Sequence, residues 1–285
     1  MEDMKDSFIL KTWKREMTIG DRAQIMGILN VTPDSFSDGG CFQSSEEAVE
    51  FGVRMVEEGA DIIDVGGESS RPGAEPVSPK EELRRVIPVI EGLVSRVTVP
   101  ISIDTTKAEV AREAVASGAE IINDISAMRF DDQMPLVVAA TGAAVILMHM
   151  RGTPKDMQEG ELTYRSLLSD IIDFLRERME RAKSAGVELE RIMIDPGLGF
   201  GKTAEDNLKL LKHLSAFSVL GRPIVTGASR KSFIGKVIGG APQNRLEGTA
   251  AVVTAAIMNG SHVVRVHDVR AMKKVAAMAD AILRA

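Results

Sequence analysis

The chain has 285 residues, a formal net charge of −6 and 27% charged residues, which is an ordinary composition for a globular protein. Nucleic-acid binders usually carry a basic excess and several aromatic residues for stacking, so the acidic balance and the 4% aromatic content argue against that class. The N-terminal segment lacks the apolar core of a signal peptide, and the longest apolar stretch, residues 137–150, is too short to span a membrane. A cytoplasmic protein with no membrane or nucleic-acid partner is expected. The single cysteine, Cys41, excludes an intrachain disulfide and is expected to be an inert thiol.

Eight short apolar runs, each followed by a helical pattern, recur along the chain. Several follow a glycine that ends a helix, such as Gly59 and Gly118. The predicted strands are residues 25–30, 61–66, 99–103, 120–124, 144–149, 191–195, 223–227 and 262–267. Eight β-then-α units predict an α/β protein with the (β/α)8 TIM-barrel fold, in a single domain of residues 1–285. An open doubly wound sheet is the alternative, although its glycine fingerprint is absent.

Local signals predict how several of these elements begin. Ser44, Ser78 and Thr106 are each followed three residues later by glutamate, which indicates the N-cap of a helix. Residues 1–22 are predicted to be an N-terminal extension, in which residues 8–20 could form a short hairpin that closes the bottom of the barrel.

Polar side chains stand at nearly every predicted strand end. In this fold the catalytic site lies at the carboxyl ends of the strands. A single residue of this kind, such as Asp104, could simply cap the next helix, but capping does not explain polar ends on so many strands. Converging carboxylates and amides would suit a flat heterocycle with several N–H donors and carbonyl acceptors. The residues are Asn30, Asp64, Asp104, Asn123, Asp124, His149, Asp195, Arg265 and His267.

Two glycine-rich loops, residues 32–40 and 66–73, follow the first two strands. They are either solvated turns or polar loops that cover the mouth of the barrel, with Arg71 available for an anion. After the seventh strand, Arg230 and Lys231 stand at a helix start, where a cation is unfavourable unless an anion binds. Arg265 and His267 lie on one face of the last strand and would complete an anion site.

Residues 197–203 look like a phosphate-binding loop, but the required first glycine is replaced by Pro196. The glycines of this segment are instead expected to let the backbone approach a ligand. No His/Cys cluster has the spacing of a metal site, although Mg²⁺ carried on substrate phosphates is compatible with the sequence.

Two long segments resemble signatures of the dihydropteroate synthase family: residues 26–40, MGILNVTPDSFSDGG, and residues 64–73, DVGGESSRPG. Shorter matches follow in the order of the family. They are residues 103–105, 123–125, 147–150, 195–197, 229–232 and 265–268. The resemblance therefore covers nearly the whole chain.

This resemblance implies a TIM-barrel transferase of folate biosynthesis. Such an enzyme joins 6-hydroxymethyl-7,8-dihydropterin diphosphate to p-aminobenzoate, releases diphosphate and is the target of sulfonamides. It further implies Mg²⁺ as cofactor, small-molecule substrates as partners and a homodimer formed through outer helices. The implied chemistry is a dissociative substitution at the exocyclic methylene, with no covalent enzyme intermediate.

Residue roles are also implied by the resemblance. The residues implied to bind the pterin are Asp104, Asn123, Asp195 and Lys231. Diphosphate binding falls to Asn30, Ser70, Arg265 and His267, with Asn30 also a Mg²⁺ ligand. Binding of p-aminobenzoate falls to Phe36, Ser70, Arg71, Pro72, Phe200 and Ser232. The catalytic set is Asp34, Asp104, Lys231, Arg265 and His267.

The chain departs from the family pattern at a few positions. Ser70 stands where threonine is expected, which keeps the hydroxyl but removes a methyl contact to p-aminobenzoate or its sulfonamide mimics. Arg151 stands where glutamine is common, and Asp206 where histidine is frequent. None of these changes removes a group that the mechanism requires.

Two other functions fit part of this pattern. A pterin-binding methyltransferase barrel would share the polar strand ends, but it would not need the loop at residues 229–231 or the pair Arg265 and His267. A catalytically silent pterin-binding paralogue should have lost residues from the two glycine-rich loops, and both loops look intact.

Overall fold

The computed structural model describes residues 7–32, 44–71, 73–159 and 162–285. Within them, ten strands are formed: β1 Phe8–Lys11, β2 Glu16–Ile19, β3 Gln24–Asn30, β4 Ile62–Gly66, β5 Ile101–Asp104, β6 Ile121–Asp124, β7 Ala144–Met148, β8 Ile192–Asp195, β9 Val225–Gly227 and β10 Val263–Val266. Strands β3 to β10 form one parallel sheet in the order β8-β7-β6-β5-β4-β3-β10-β9. A parallel bridge between Ile194 and Ile224 joins the two ends of this sheet. The predicted (β/α)8 barrel is therefore confirmed, and the open doubly wound sheet was the wrong alternative.

Helices surround the barrel. They are α1 Ser45–Glu57, α2 Pro79–Val94, α3 Ala108–Ala116, α4 Met134–Thr141, α5 Leu167–Ser184, α6 Ala204–Lys212, α7 Ser232–Ile238, α8 Leu246–Met258 and α9 Val269–Leu283. No helix among the described residues combines the length and apolarity that crossing a bilayer requires.

The barrel strands are apolar along their whole length because both of their faces are covered. In β7, all five residues are buried. Alternate side chains of the strands point outward and pack against the helices, while the others fill the barrel. The interior layer includes Met26, Ile62, Ile121 and Val263, which lie near the amino ends of their strands. Apolar packing therefore fills the bottom of the barrel, and the polar residues are left at the top.

The N-cap predictions are confirmed for two helices and wrong for the third. The hydroxyls of Ser44 and Ser78 each accept a backbone N–H at 3.2 Å in the first turn of α1 and α2. Thr106 is not a cap, because α3 begins only at Ala108. The N–H of Ala108 is bound instead by the carboxylate of Asp131, at 2.8 Å. A side chain distant in sequence thus replaces the local cap.

The predicted hairpin is confirmed. Strands β1 and β2 pair antiparallel, and Leu10 and Ile19 pack against the interior layer at the bottom of the barrel. Trp13 Nε1 donates to the carbonyl of Ala119 at 2.8 Å, just before β6. The same end of β6 carries Glu120, which is 1% exposed and pairs with Arg15 at 2.8 Å. The hairpin therefore closes the end of the barrel opposite the polar strand ends.

Candidate active site

Four polar strand ends form one hydrogen-bonded network. Arg265, on β10, donates through Nε to Asp64 Oδ2 at 2.6 Å and through Nη2 to Asp104 Oδ2 at 2.7 Å. Asn123, on β6, donates to Asp64 Oδ2 at 3.0 Å. Parallel strands bring their carboxyl ends to one mouth, so residues far apart in sequence meet here.

Asp64 is the centre of this network, although sequence reasoning gave it no role beyond its place at a strand end. Its side chain is fully buried, and its second oxygen, Oδ1, has no hydrogen-bond partner among the described residues. Buried carboxylate oxygens normally find a donor, and an N–H of a bound ring would satisfy this one. The signals for it in the sequence were its place in β4, which only β3 separates from β10, and its place at the start of the segment 64–73.

Asp195 and Lys231 form the other side of the mouth. Asp195 ends β8, is buried, and accepts the N–H of Gly197 at 2.7 Å. Lys231 precedes α7, and its Nζ lies 4.2 Å from the centre of the Phe200 ring, a cation–π contact. The charges of Arg265, Asp195 and Asp104 all act on the pKa of Lys231. The two sides therefore share one electrostatic environment, as the pterin-site prediction requires.

Burial controls the titration of these groups. It raises the pKa of Asp104 to about 7, with Arg265 acting in the opposite direction. Burial, together with the nearby charge of Arg265, lowers the pKa of Lys231 to about 8. The pKa of Arg265 itself is raised, because the attraction of Asp64 and Asp104 outweighs the effect of burial. Near neutral pH the site therefore holds a fixed guanidinium and two groups that change charge easily.

His267 lies beside this network as a neutral imidazole. Its Nδ1 is 2.9 Å from the hydroxyl of Ser229, which also accepts the His267 backbone N–H at 3.2 Å. Burial, followed by the charges of Arg265 and Arg230, lowers the pKa of His267 to about 3. It can serve an anion as an N–H donor without carrying charge itself.

The prediction that Arg230 needs a bound anion is wrong. Its guanidinium makes two hydrogen bonds to Asp268, at 3.1 and 2.6 Å. Asp268 precedes α9 and supplies the negative charge from within the chain. Of the two cations at this helix start, Lys231 alone faces the mouth.

The remaining predicted residues lie around the rim. Ser70 is half-buried and lines a cavity of about 390 Å³ together with Asp104, whereas Arg71 is exposed. Ser232 is exposed at the first position of α7. Asn30 is half-buried at the end of β3, beside Gly66 of β4. Four residues singled out from the sequence, Asp34, Phe36, Cys41 and Pro72, lie outside the described residues.

The glycines after β8, which were predicted to let the backbone approach a ligand, have a role in packing. A Cβ at Gly197 would lie 1.9 Å from the carbonyl oxygen of His149, and one at Gly201 would lie 2.6 Å from Cβ of Arg151. These two glycines let the turn pack closely against the residues that follow β7, and the approach to a ligand stays a prediction. Only Gly199 lies against a site residue, 3.2 Å from Cδ of Lys231.

No group of three or more His, Cys, Asp or Glu residues in the described part of the chain is arranged to hold a metal ion. The donor that the sequence suggested for Mg²⁺ is the amide oxygen of Asn30. One hard oxygen ligand suits an ion that keeps several waters and is carried mainly by substrate phosphates.

Comparison with known proteins agrees with this geometry. The family model described as pterin-binding enzyme matches residues 26–267. A dihydropteroate synthase of Synechocystis is 49% identical, over 93% of this chain and 92% of that protein. The Bacillus subtilis dihydropteroate synthase is 46% identical over 96% and 94%.

Solved structures give the same result. The Yersinia pestis dihydropteroate synthase in a sulfonamide complex superposes with a TM-score of 0.93 at 42% identity, covering 98% of this chain and 100% of that one. The Xanthomonas albilineans enzyme in complex with 7,8-dihydropteroate has a TM-score of 0.87 at 42% identity, covering 97% and 99%. By its family match, its close relatives and its fold, the chain belongs to the pterin-binding enzymes and, among them, to the dihydropteroate synthases.

Proposed function

We propose that this chain condenses 6-hydroxymethyl-7,8-dihydropterin diphosphate with p-aminobenzoate to give 7,8-dihydropteroate and diphosphate, as a transferase of folate biosynthesis. The observation that carries the proposal is the network in which Arg265 bridges Asp64 and Asp104 at the mouth of the barrel. The proposal is supported because this network combines hydrogen-bond acceptors, which suit a nitrogen-rich ring, with a fixed guanidinium, which suits a departing anion.

The pterin ring is assigned to Asp104, Asn123, Asp195 and Lys231. Carboxylate and amide oxygens accept hydrogen bonds from the amino and N–H groups of the ring, and the Lys231 ammonium donates to its carbonyl side. Hydrogen bonds to charged groups are stronger than neutral ones, which favours a tightly held ring. Asp64 supports this set by holding Asn123 and Arg265 in place.

The diphosphate is assigned to Asn30, Ser70, Arg265 and His267. Arg265 carries five N–H donors, and the bonds to Asp64 and Asp104 use two of them. Its other N–H groups and the neutral imidazole of His267 remain able to donate to phosphate oxygens. Because the two carboxylates fix the guanidinium, no side-chain reorganisation is needed when charge develops on the leaving group.

Mg²⁺ is proposed as the cofactor, with Asn30 as its ligand from this chain. When bound with the diphosphate, the ion would neutralise part of the charge on the leaving group. The chain's own residues perform the other tasks: they bind the ring, orient its methylene and hold the guanidinium beside the departing oxygen.

The rim is assigned to p-aminobenzoate. Phe200 is buried beside Lys231, and Ser70, Arg71 and Ser232 are assigned to the same substrate. Phe36 and Pro72, which lie outside the described residues, are assigned with them. In the reaction the bond between the methylene carbon and the diphosphate oxygen breaks, and its electron pair leaves with diphosphate. The amine nitrogen then forms the new C–N bond and loses a proton to solvent. The proposed role of Asp34 is to favour positive charge at the methylene.

A direct assay tests this function. The purified protein with both substrates and Mg²⁺ should release one diphosphate for each dihydropteroate formed. Asp104→Ala and Lys231→Ala should abolish release while leaving the far-UV circular dichroism spectrum unchanged. A wild-type protein that binds the pterin without releasing diphosphate would support the silent paralogue, and methyl transfer would support the methyltransferase alternative.

A homodimer in the cytoplasm is also proposed. Helix α8 has no charged residue between Gly248 and Met258, although Ala251 and Met258 are exposed. A helix that is apolar all round is normally covered on all sides. The neighbouring α7 exposes Val237 and Ile238, with more than half of each accessible. A second copy packed on α7 and α8 would cover this apolar face.

The single domain over residues 1–285 stays a prediction.

A further inference from the structure

A buried lysine lies behind the pterin side of the mouth. Lys202 is 3% exposed, and its ammonium is surrounded by polar atoms. Nζ lies 2.9 Å from Nδ1 of His149, 2.9 Å from the carbonyl of Gly197 and 3.0 Å from the carbonyl of Phe200. These partners compensate for burial of the charge, since lysine is rarely buried without them.

His149 is placed to accept a hydrogen bond from this ammonium. Burial and the charge of Lys202 lower the pKa of His149 to about 2, so its ring is neutral. The ring is held edge-on to Phe174 at 4.8 Å between centroids. With Lys202 protonated, Nδ1 is the acceptor. This pair could not be predicted from the sequence, because its members are 53 residues apart and follow different strands.

The ammonium fixes the turn that carries two parts of the pterin side. The carbonyls that it binds belong to Gly197 and Phe200, at the two ends of the turn. The N–H of Gly197 binds the Asp195 carboxylate, and the Phe200 ring lies under the Lys231 ammonium. Through one turn, Lys202 is therefore connected to Asp195 and Lys231, two of the three charged residues assigned to the ring.

Its charge acts on the same carboxylate. Burial raises the pKa of Asp195, and the charges of Lys231 and Lys202 lower it. Burial also lowers the pKa of Lys202 to about 7, while Asp195 acts to raise it. Each group thus favours the charged form of the other. The diphosphate residues Arg265 and His267 lie on and just after β10, and in the described part of the chain neither makes a hydrogen bond to Lys202 or to residues 197–201.

We propose that Lys202 is a positioning residue for the pterin ring: its ammonium, hydrogen-bonded to His149, holds the turn of residues 197–201, which contacts Asp195 and Lys231, without acting on the diphosphate. This inference rests on the proposed function, since it concerns the same ring site. It goes further by assigning part of the ring affinity to a side chain that does not touch the substrate.

The experiment separates ring binding from diphosphate binding. The full-length Lys202→Met variant is titrated with 6-hydroxymethylpterin and, separately, with inorganic diphosphate and Mg²⁺ by calorimetry. We expect the dissociation constant for the pterin to rise at least about tenfold, since hydrogen bonds to a charged group are lost, while that for diphosphate changes less than about twofold. A variant that is only less stable would have a lower affinity for both ligands or an unchanged affinity for both.

Glu120→Gln is the matched control, because it also removes a buried charge but at the bottom of the barrel. It should bind both ligands as the wild type does. Lys202→Gln keeps N–H donors for the two carbonyls and is the second variant should the methionine variant not fold. It should lose pterin affinity selectively as well, but less than Lys202→Met does, because part of the hydrogen bonding to the turn is kept.

Three results would overturn the proposal. These are unchanged pterin affinity in a folded Lys202 variant, equal weakening of both ligands, and loss of the folded spectrum in both variants, which would make Lys202 a requirement of the fold alone. Failure of the wild type to bind the pterin would instead overturn the proposed function, so the two failures are distinguishable.

Discussion

At the residue scale, the site depends on how buried charges are paired. Arg265 is held by two carboxylates that belong to different strands, and Asp64 makes a further bond to Asn123. Removing one partner of such a network costs far more than the pair contributes, because a charge is left buried and unpaired. The same arrangement leaves Asp104 and Lys231 with pKa values close to neutrality, of about 7 and about 8.

The dependence of kcat/KM on pH should therefore be bell-shaped. Asp104 takes a proton as the pH falls through about 7 and then no longer accepts hydrogen bonds with full charge. Lys231 loses its proton as the pH rises through about 8. Since kcat/KM reports the free enzyme, kcat/KM for the pterin diphosphate should be highest between these values and fall on both sides. Steady-state rates from pH 5.5 to 9.5 check this, and a flat profile would contradict it.

Arg265→Lys tests whether the bridge matters beyond its charge. A lysine keeps the positive charge but lacks the planar fork that binds two carboxylates in fixed directions. We expect kcat/KM for the pterin diphosphate to fall about 100-fold, equivalent to about 2.7 kcal/mol, with little change in melting temperature. Arg22→Lys is the control, because the Arg22 guanidinium also makes two hydrogen bonds to a carboxylate, that of Asp61, at the other end of the barrel. An equal fall of kcat/KM in both variants would contradict a specific role for the Arg265 bridge, because it would show that replacing either paired arginine has the same effect.

At the element scale, the barrel could be predicted because its signals are local. Each strand is an apolar run followed by a helix, and the observed strands begin and end within two residues of the predicted ones. The polar residues at the strand ends follow from the same rule. The start of α3 and the pairing of Lys202 with His149 could not be predicted, since they depend on Asp131 and on a contact across 53 residues. Neither leaves a periodic or spacing pattern in the sequence.

The turn after β8 is predicted to be the least tolerant of a side chain. Gly197 has φ of 72°, and a Cβ there would lie 1.9 Å from the His149 carbonyl oxygen. Gly221 has a similar φ of 62°, but nothing lies within 4 Å of its Cβ position. Gly221→Ala should lower the free energy of unfolding by about 1 kcal/mol, the cost of the left-handed conformation. Gly197→Ala adds a backbone clash and should cost at least about 3 kcal/mol. Urea unfolding measures both, and equal costs would contradict the assigned role of the turn.

At the scale of the whole molecule, the two ends of the barrel have separate tasks. The hairpin and Glu120 close the bottom, while the strand ends at the top carry the polar network. Glu120 is 1% exposed and binds Thr12 at 3.1 Å and Arg15 at 2.8 Å. Glu120→Ala should lower the free energy of unfolding by about 2–4 kcal/mol, because the hairpin loses its buried anchor. At a temperature where the variant is folded, kcat and KM should match the wild type. A fall in kcat would show that the two ends are coupled.

The apolar face on α7 and α8 leads to a prediction about assembly. If a second copy covers this face, sedimentation velocity should give a species of about twice the chain's mass of 30.8 kDa. Ala251 is exposed in the middle of α8, so Ala251→Glu would place a charge inside the interface and should yield monomers. Ala116→Glu, an equivalent change on the exposed side of α3, should leave the dimer intact. Because the residues of the polar network all come from one chain, the Ala251→Glu monomer should still bind 6-hydroxymethylpterin. A wild-type protein that sediments as a monomer would contradict the proposed dimer, and a dimer unaffected by Ala251→Glu would place its interface on another face.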